Sequence, residues 1–203
     1  MSQFRGAAVL ATLVLELGCS AQPVEPASAA NAPPRAAPPP PRVDTAQWRP
    51  AVEGYVPAVR HGNQRPLGGA KWPFAKFLNQ VHARIHPLFA DRFLASLDSL
   101  PSSDPMNRPE LLVVLEIVLE SNGGRVERMG VIASSGAIAF DVSALDALYR
   151  AQPFGPPPVE IVSTDGFVYF HWEFHRGPEA CGAWNARPYL LGTTPSSGAQ
   201  EQG

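Results

Sequence analysis

The chain is poor in the residues on which most recognisable chemistry is built. It has two cysteines in 203 residues, Cys19 and Cys181. At most one intrachain disulfide can form, and no finger-like spacing of metal-binding cysteines exists. Charged residues make up 17%, the net charge is −2, and the basic residues are nearly all arginine. That balance leaves no electrostatic footprint for nucleic acid. There is no glycine-rich phosphate loop and no Gly-x-Ser-x-Gly nucleophile turn. The N-terminal apolar run, Ala7 to Leu15, is cut off by Glu16. It falls short of the ~20 apolar residues that a membrane-spanning helix needs.

Proline is plentiful, with 23 residues unevenly placed. Residues 1–18 read as an export signal, with Arg5 in the positive region and Ala7 to Leu15 as its apolar core. Gly18-Cys19-Ser20 resembles a bacterial lipobox, whose cysteine becomes diacylated, with Glu16 standing where that motif usually has leucine. Cys19 is therefore the expected lipid-attachment residue and the link to a membrane. The alternative is an ordinary signal with an incidental cysteine. With Cys19 lipidated, Cys181 is a free thiol or bridges to another chain; otherwise a disulfide could join the two. Residues 19–60 read as a Pro/Ala-rich disordered linker, because eight of the 22 residues from Ser20 to Pro41 are proline. Such a segment cannot bury enough apolar surface to offset its ordering entropy, and it serves as an extended spacer. Trp48 and Tyr55 mark where its end would touch a domain.

The domain is expected over residues 70–176. Phe74, Phe77, Leu78, Val81 and Ile85 form one face of a helix, with Pro73 in its first turn. Pro87 should kink or break that helix, and a second piece from Leu88 to Leu97 repeats Phe89, Phe93 and Leu97. In residues 111–120, Leu111, Val113, Leu115, Ile117 and Leu119 share one face while Glu116 and Glu120 take the other. Ser121 to Gly124 reads as a hairpin turn leading to a strand over 125–133. Phe140, Ala144, Leu148 and Ala151 make a helical stripe with Asp141 at the N-cap, ended by Pro153. In residues 167–175, Val168, Phe170, Trp172 and Phe174 face a core and Tyr169, His171, Glu173 and His175 face out. The expected fold is α+β: a three-stranded antiparallel sheet against two or three helices. Residues 177–203 read as a partly disordered extension, with 184–191 as a piece that could dock.

The reactive side chains favour structure over catalysis. Ser134 and Ser135 sit in a strand-to-helix turn without a nucleophile elbow. Asp141 and Asp146 are five apart and do not share a helix face. His82 and His86 have the i, i+4 spacing of metal-binding pairs, but no glutamate follows His82 and Pro87 distorts the turn, so solvent-facing or satisfied histidines are expected. His171 and His175 lie ~13 Å apart on a strand and cannot share an ion. Glu173 with one of them and Cys181 is the remaining candidate for a metal or thiol site. No catalytic residue, metal site or cofactor is assigned.

One combination points to a family. Gly124-Arg125-Val126, Val131-Ile132-Ala133-Ser134-Ser135-Gly136, the run from Phe140-Asp141 to Ala151-Gln152-Pro153-Phe154-Gly155-Pro156-Pro157-Pro158, Asp165-Gly166-Phe167-Val168 and Trp172-Glu173-Phe174 follow one another in order. Together they resemble the C-terminal domain of TonB and TolA, the periplasmic ends of envelope energy transducers, over residues 74–175. The resemblance implies a non-enzymatic protein of the periplasm or cell envelope. It would bind an outer-membrane transporter or another envelope protein by sheet-edge pairing, in transport across or organisation of the outer membrane. The family's inner-membrane anchor helix is not evident. A true energy transducer anchored through residues 6–18 is the alternative, and a metal or thiol enzyme is the third reading. No nucleic acid and no small-molecule substrate is expected.

Overall fold

The computed structural model describes residues 44–67 and 74–192, all within one unit, Ala37–Gly203. Cys19, the expected signal and the linker as far as residue 43 lie outside the described residues. In chain order the elements begin with a short helix α1 (Arg49–Glu53), strand β1 (Gln64–Pro66) and helix α2 (Ala75–Leu88). Helix α2 continues through a π-helical stretch, Phe89–Leu94, into α3 (Ala95–Leu97). The hairpin strands β2 (Leu112–Glu120) and β3 (Val126–Ala133) follow, then helix α4 (Ile138–Ala151) and strands β4 (Phe167–His175) and β5 (Ala186–Leu191). The fold is α+β, with one antiparallel sheet in the order β1-β5-β4-β2-β3.

The sheet has five strands where three were expected. The additional two lie outside the alternating segments. β1 is three residues ending in Pro66, and β5 carries Pro188. β1 is a margin strand, where the missing N–H of Pro66 costs least, whereas β5 lies inside the sheet between β1 and β4 and keeps Pro188 in its ladder opposite Phe170. β5 lies in the segment expected as an extension, and β4 is paired on both sides rather than lying at an edge. The linker also ends earlier than expected: Trp48 is buried and packs edge-on against Tyr149 at 5.6 Å, and α1 lies against β3.

The expected alternation is present. Val113, Leu115, Ile117 and Leu119 of β2 and Val168, Phe170, Trp172 and Phe174 of β4 are all buried in the main core. They meet Phe77, Leu78, Val81 and Ile85 of α2, and Phe140, Ala144 and Leu148 of α4. Phe89 sits at the centre, 5.0 Å from Phe174 and 5.7 Å from Phe140 between ring centroids. Each such fully buried aromatic contributes about 2–3 kcal/mol of transfer free energy.

Pro87 does not break α2. It lies at the last-but-one position, so only the bond to the Ala83 carbonyl is forfeited. The chain absorbs the irregularity in the π-helical turn that follows, which keeps Phe89 and Phe93 both facing inward. The hairpin turn lies where it was expected, between β2 and β3. The positive φ of the turn falls on its last residue, Gly124 (64°). A Cβ there would lie 2.2 Å from the Gly155 carbonyl oxygen. Phe154 and Gly155 donate their N–H groups to the Gly124 and Gly123 carbonyls at 2.9 and 3.0 Å. The proline-rich exit of α4 is thereby tied to the β2–β3 turn.

Asp141 is not the N-cap of α4. The helix starts at Ile138, with Ala137 in the cap position, and Asp141 is fully buried in its first turn. Its carboxylate accepts from the Ser135 N–H at 3.0 Å and from the Ser134 hydroxyl. The residue closes the turn from inside the helix instead of capping it from outside. Its negative charge also suits a helix N-terminus.

Candidate functional site

Cys19, the expected lipid-attachment residue, lies outside the described residues. The serine and aspartate cluster has only structural bonds. The Ser134 hydroxyl donates to Asp141 and accepts from the Gly136 N–H, and the Ser135 hydroxyl joins the Ala137 backbone.

His171, Glu173 and Cys181 are not brought together. Glu173 pairs with Arg187 at 3.1 Å and lies 3.3 Å from His175, on the face away from the main core. Cys181 is fully buried inside that core, and burial pushes its thiol up to about 12. His86 Nδ1 lies 4.0 Å from its Sγ. His82 and His86 are half-buried and touch each other, with 3.1 Å between His82 Nε2 and His86 Nδ1. Burial and the neighbouring His86 ring hold the His82 imidazole below its usual pKa. The metal-ligand spacing of these two histidines was visible in sequence, but their third neighbour is 95 residues away.

The other face of the sheet carries the feature that sequence alternation could not interpret. Glu116 of β2 points there, as expected, yet it is fully buried. A strap formed by residues 55–59 lies over it. Glu116 Oε1 accepts from the Tyr55 hydroxyl and the Ala58 N–H, each at 2.7 Å, and Oε2 accepts from the Val59 N–H at 2.8 Å. His171 Nε2 stands 3.5 Å from Oε2, and an Arg128 nitrogen stands 4.0 Å from Oε1. Burial alone raises the pKa of this carboxyl. The His171 ring and the donors of Ala58, Tyr55 and Val59 outweigh that and hold it below the ordinary glutamate value. Burial and the bond to Glu116 keep Tyr55 protonated far into alkaline pH. Val59, Val118 and Tyr169 form a second apolar cluster beneath the strap. Gly130 of β3 lets the Tyr55 ring lie on the sheet, since a Cβ would stand 2.1 Å from ring atoms.

The two margins of the sheet differ. One is closed by β1, which pairs with β5 through Gln64, Arg65 and Pro66. The other is β3, which has no further strand beside it among the described residues. Register shifts place bulges at Glu127 and Ile132, leaving a regular ladder from Arg128 to Val131. A groove of about 480 Å³ runs between this strand and the α1–strap segment, lined by Trp48, Pro50, Tyr55, Val56, Arg128 and Met129. Val56 is 60% exposed at its rim. No helix among the described residues is long and apolar enough to cross a membrane. Comparison of the chain with family models, curated proteins and solved structures finds no match.

Proposed function

We propose that this chain is a non-enzymatic binding protein of the bacterial periplasm or cell envelope. It takes an extended segment of an envelope partner, such as an outer-membrane transporter, as an added strand along β3. The observation that carries this reading is that β3 has no further strand beside it among the described residues, with Glu127 and Arg128 exposed and the groove between this strand and the α1–strap segment alongside. Strand addition needs these two parts: backbone groups for affinity and pockets for alternate side chains. The bulges at Glu127 and Ile132, together with α1 lying against β3, limit promiscuous pairing along this margin. The motif resemblance to TonB and TolA domains supports an envelope role, but it implies pairing near the last strand of that domain. Here that strand is β4, and the protein's own β5 and β1 fill the position. The partner-accepting edge is therefore assigned to β3. A lipid on Cys19 and the proline-rich segment after it would tether the domain at a distance from the membrane.

Two measurements test this reading. Mass spectrometry of the mature N-terminus is expected to show a diacylated Cys19; an intact Met1 would favour an inner-membrane-anchored transducer. A photo-reactive residue in place of Glu127 is expected to cross-link an envelope protein in living cells. A second change, Val56→Arg, which fills the groove rim, should abolish the adduct. Equal cross-linking from Arg65 on the opposite margin, or an adduct indifferent to Val56→Arg, would refute the edge assignment.

A further inference from the structure

We propose that His82, His86 and Cys181 form a binding site for a zinc-class transition-metal ion, with His82 Nε2, His86 Nδ1 and Cys181 Sγ as ligands. These three side chains are the one group of histidine, cysteine or acidic residues among the described residues whose donor atoms gather at metal-binding range. All three donor atoms lie within 4.8 Å of one another. The two nitrogens are 3.1 Å apart, and the sulfur is 4.0 Å from His86 Nδ1. A tetrahedral zinc ion with ordinary Zn–N and Zn–S bonds requires separations of roughly 3.3 Å between nitrogens and roughly 3.6 Å between nitrogen and sulfur. The imidazoles already stand near that value, and the sulfur has about an ångström or less to travel.

The surroundings prepare each ligand. His82 and His86 are one helical turn apart on α2, so a rigid element sets their spacing. Asp91 Oδ1 lies 3.5 Å from His86 Nε2, on the side of the ring away from the cluster. A carboxylate there favours a proton on Nε2 and leaves the Nδ1 lone pair directed at the cluster, the outer-shell arrangement common to metal-binding histidines. Cys181 is positioned through its backbone. Its carbonyl accepts from the Trp172 indole N–H at 3.2 Å, and the carbonyl of Ala180 accepts from the His175 N–H at 2.7 Å. Ala180 itself has φ 44°, a left-handed conformation that a non-glycine residue rarely adopts. That local strain turns the chain so that the next side chain enters the core beside α2.

The donor set selects the metal class. Two imidazoles and one thiolate suit borderline-soft ions such as zinc, and they do not suit magnesium or calcium, which take oxygen ligands. Three protein ligands leave one position open, as in zinc sites that keep a water. An open groove of about 520 Å³ begins at His86, bordered by Ala90, Leu94, Arg176 and Pro178, and supplies solvent for it. On binding, the thiol releases its proton to solvent, and the proton shared between the rings moves from His82 Nε2 to Nδ1 of the same ring, so that each neutral imidazole offers one lone pair to the ion.

The test uses the full chain carrying Cys19→Ser, which leaves Cys181 as the sole thiol, after removal of metals by a chelator. Zinc chloride is expected to bind at one equivalent in a competition titration and to raise Tm. Cobalt chloride is expected to give tetrahedral d–d bands and a thiolate-to-cobalt charge-transfer band. His82→Gln, at a half-exposed position, should fold normally and weaken zinc at least tenfold. Asp91→Asn should weaken it about 10–100-fold. Cys181→Ser should abolish the charge-transfer band. His175→Gln, on the far face of the sheet, should change nothing. The proposal is overturned by the absence of a charge-transfer band, by binding that survives His82→Gln unchanged, or by loss of binding with His175→Gln. A site that takes copper(I) and refuses zinc overturns the zinc assignment.

Discussion

Replacing Glu116 by Gln isolates the contribution of the charge that holds the strap. The substitution keeps the shape of the side chain and exchanges one acceptor oxygen for an NH₂ group. The best placement keeps the amide oxygen on the Tyr55 hydroxyl and the Ala58 N–H, which now meet a neutral acceptor. The NH₂ then faces the Val59 N–H, formerly a 2.8 Å bond, so donor meets donor. One charge-assisted hydrogen bond is lost, a buried donor is left without a partner, and the two remaining bonds weaken. A loss of about 3 kcal/mol follows. For a folded region of this size that corresponds to a fall in Tm of roughly 10 °C. Thermal unfolding by circular dichroism at neutral pH measures it, and hydrogen exchange at Ala58 and Val59 locates it. The effect should also depend on pH in one direction. The folded carboxyl titrates below the ordinary value of 4.5. Its stabilisation is therefore complete above that pH and fades as the pH falls through the folded value. Parent and variant should converge in acid. A Tm change below about 2 °C with unchanged protection at both amides, or a gap that widens in acid, refutes the clamp.

Three further outcomes follow from the packing. Gly124→Ala should cost roughly 2 kcal/mol or more by urea unfolding, because it adds a side chain at positive φ against the Gly155 carbonyl. Phe89→Ala should cost about 3–5 kcal/mol, since this ring is fully buried between Phe93, Phe140 and Phe174. Asp141→Ala should cost about 2 kcal/mol by leaving the Ser135 N–H without its acceptor, with the change in hydrogen exchange centred on residues 134–137.

Much of this architecture was legible because period-two and period-3.6 patterns report burial directly. The stripes of α2 and α4 and the alternation of β2 and β4 lie where their apolar residues place them. β1 and β5 were not legible. Their pairing is made by backbone groups, and a three-residue strand or one containing Pro188 leaves no side-chain period to read. Glu116 shows a second limit. Alternation assigned it to the correct face, but nothing in a local pattern says what covers that face, and the covering residues Tyr55, Ala58 and Val59 are 57 to 61 positions away. The same reason hid the partner of His82 and His86. Their spacing was visible; Cys181 reaches them only through the tertiary fold, and sequence proximity had suggested His171 and Glu173 instead.

The pairing of β1 with β5 joins the first strand of the described chain to the last. The β2–β3 hairpin closes over a few residues and can form early, whereas Gln64 cannot meet Leu191 until nearly all the intervening chain is present. Closure of this margin therefore comes late in any order of folding that starts from local contacts. A chain cut short before Ala186 would leave one side of β4 bare, with β1 lacking the strand it pairs with. Residues 186–191 are thus what shields that side of β4 from unwanted association.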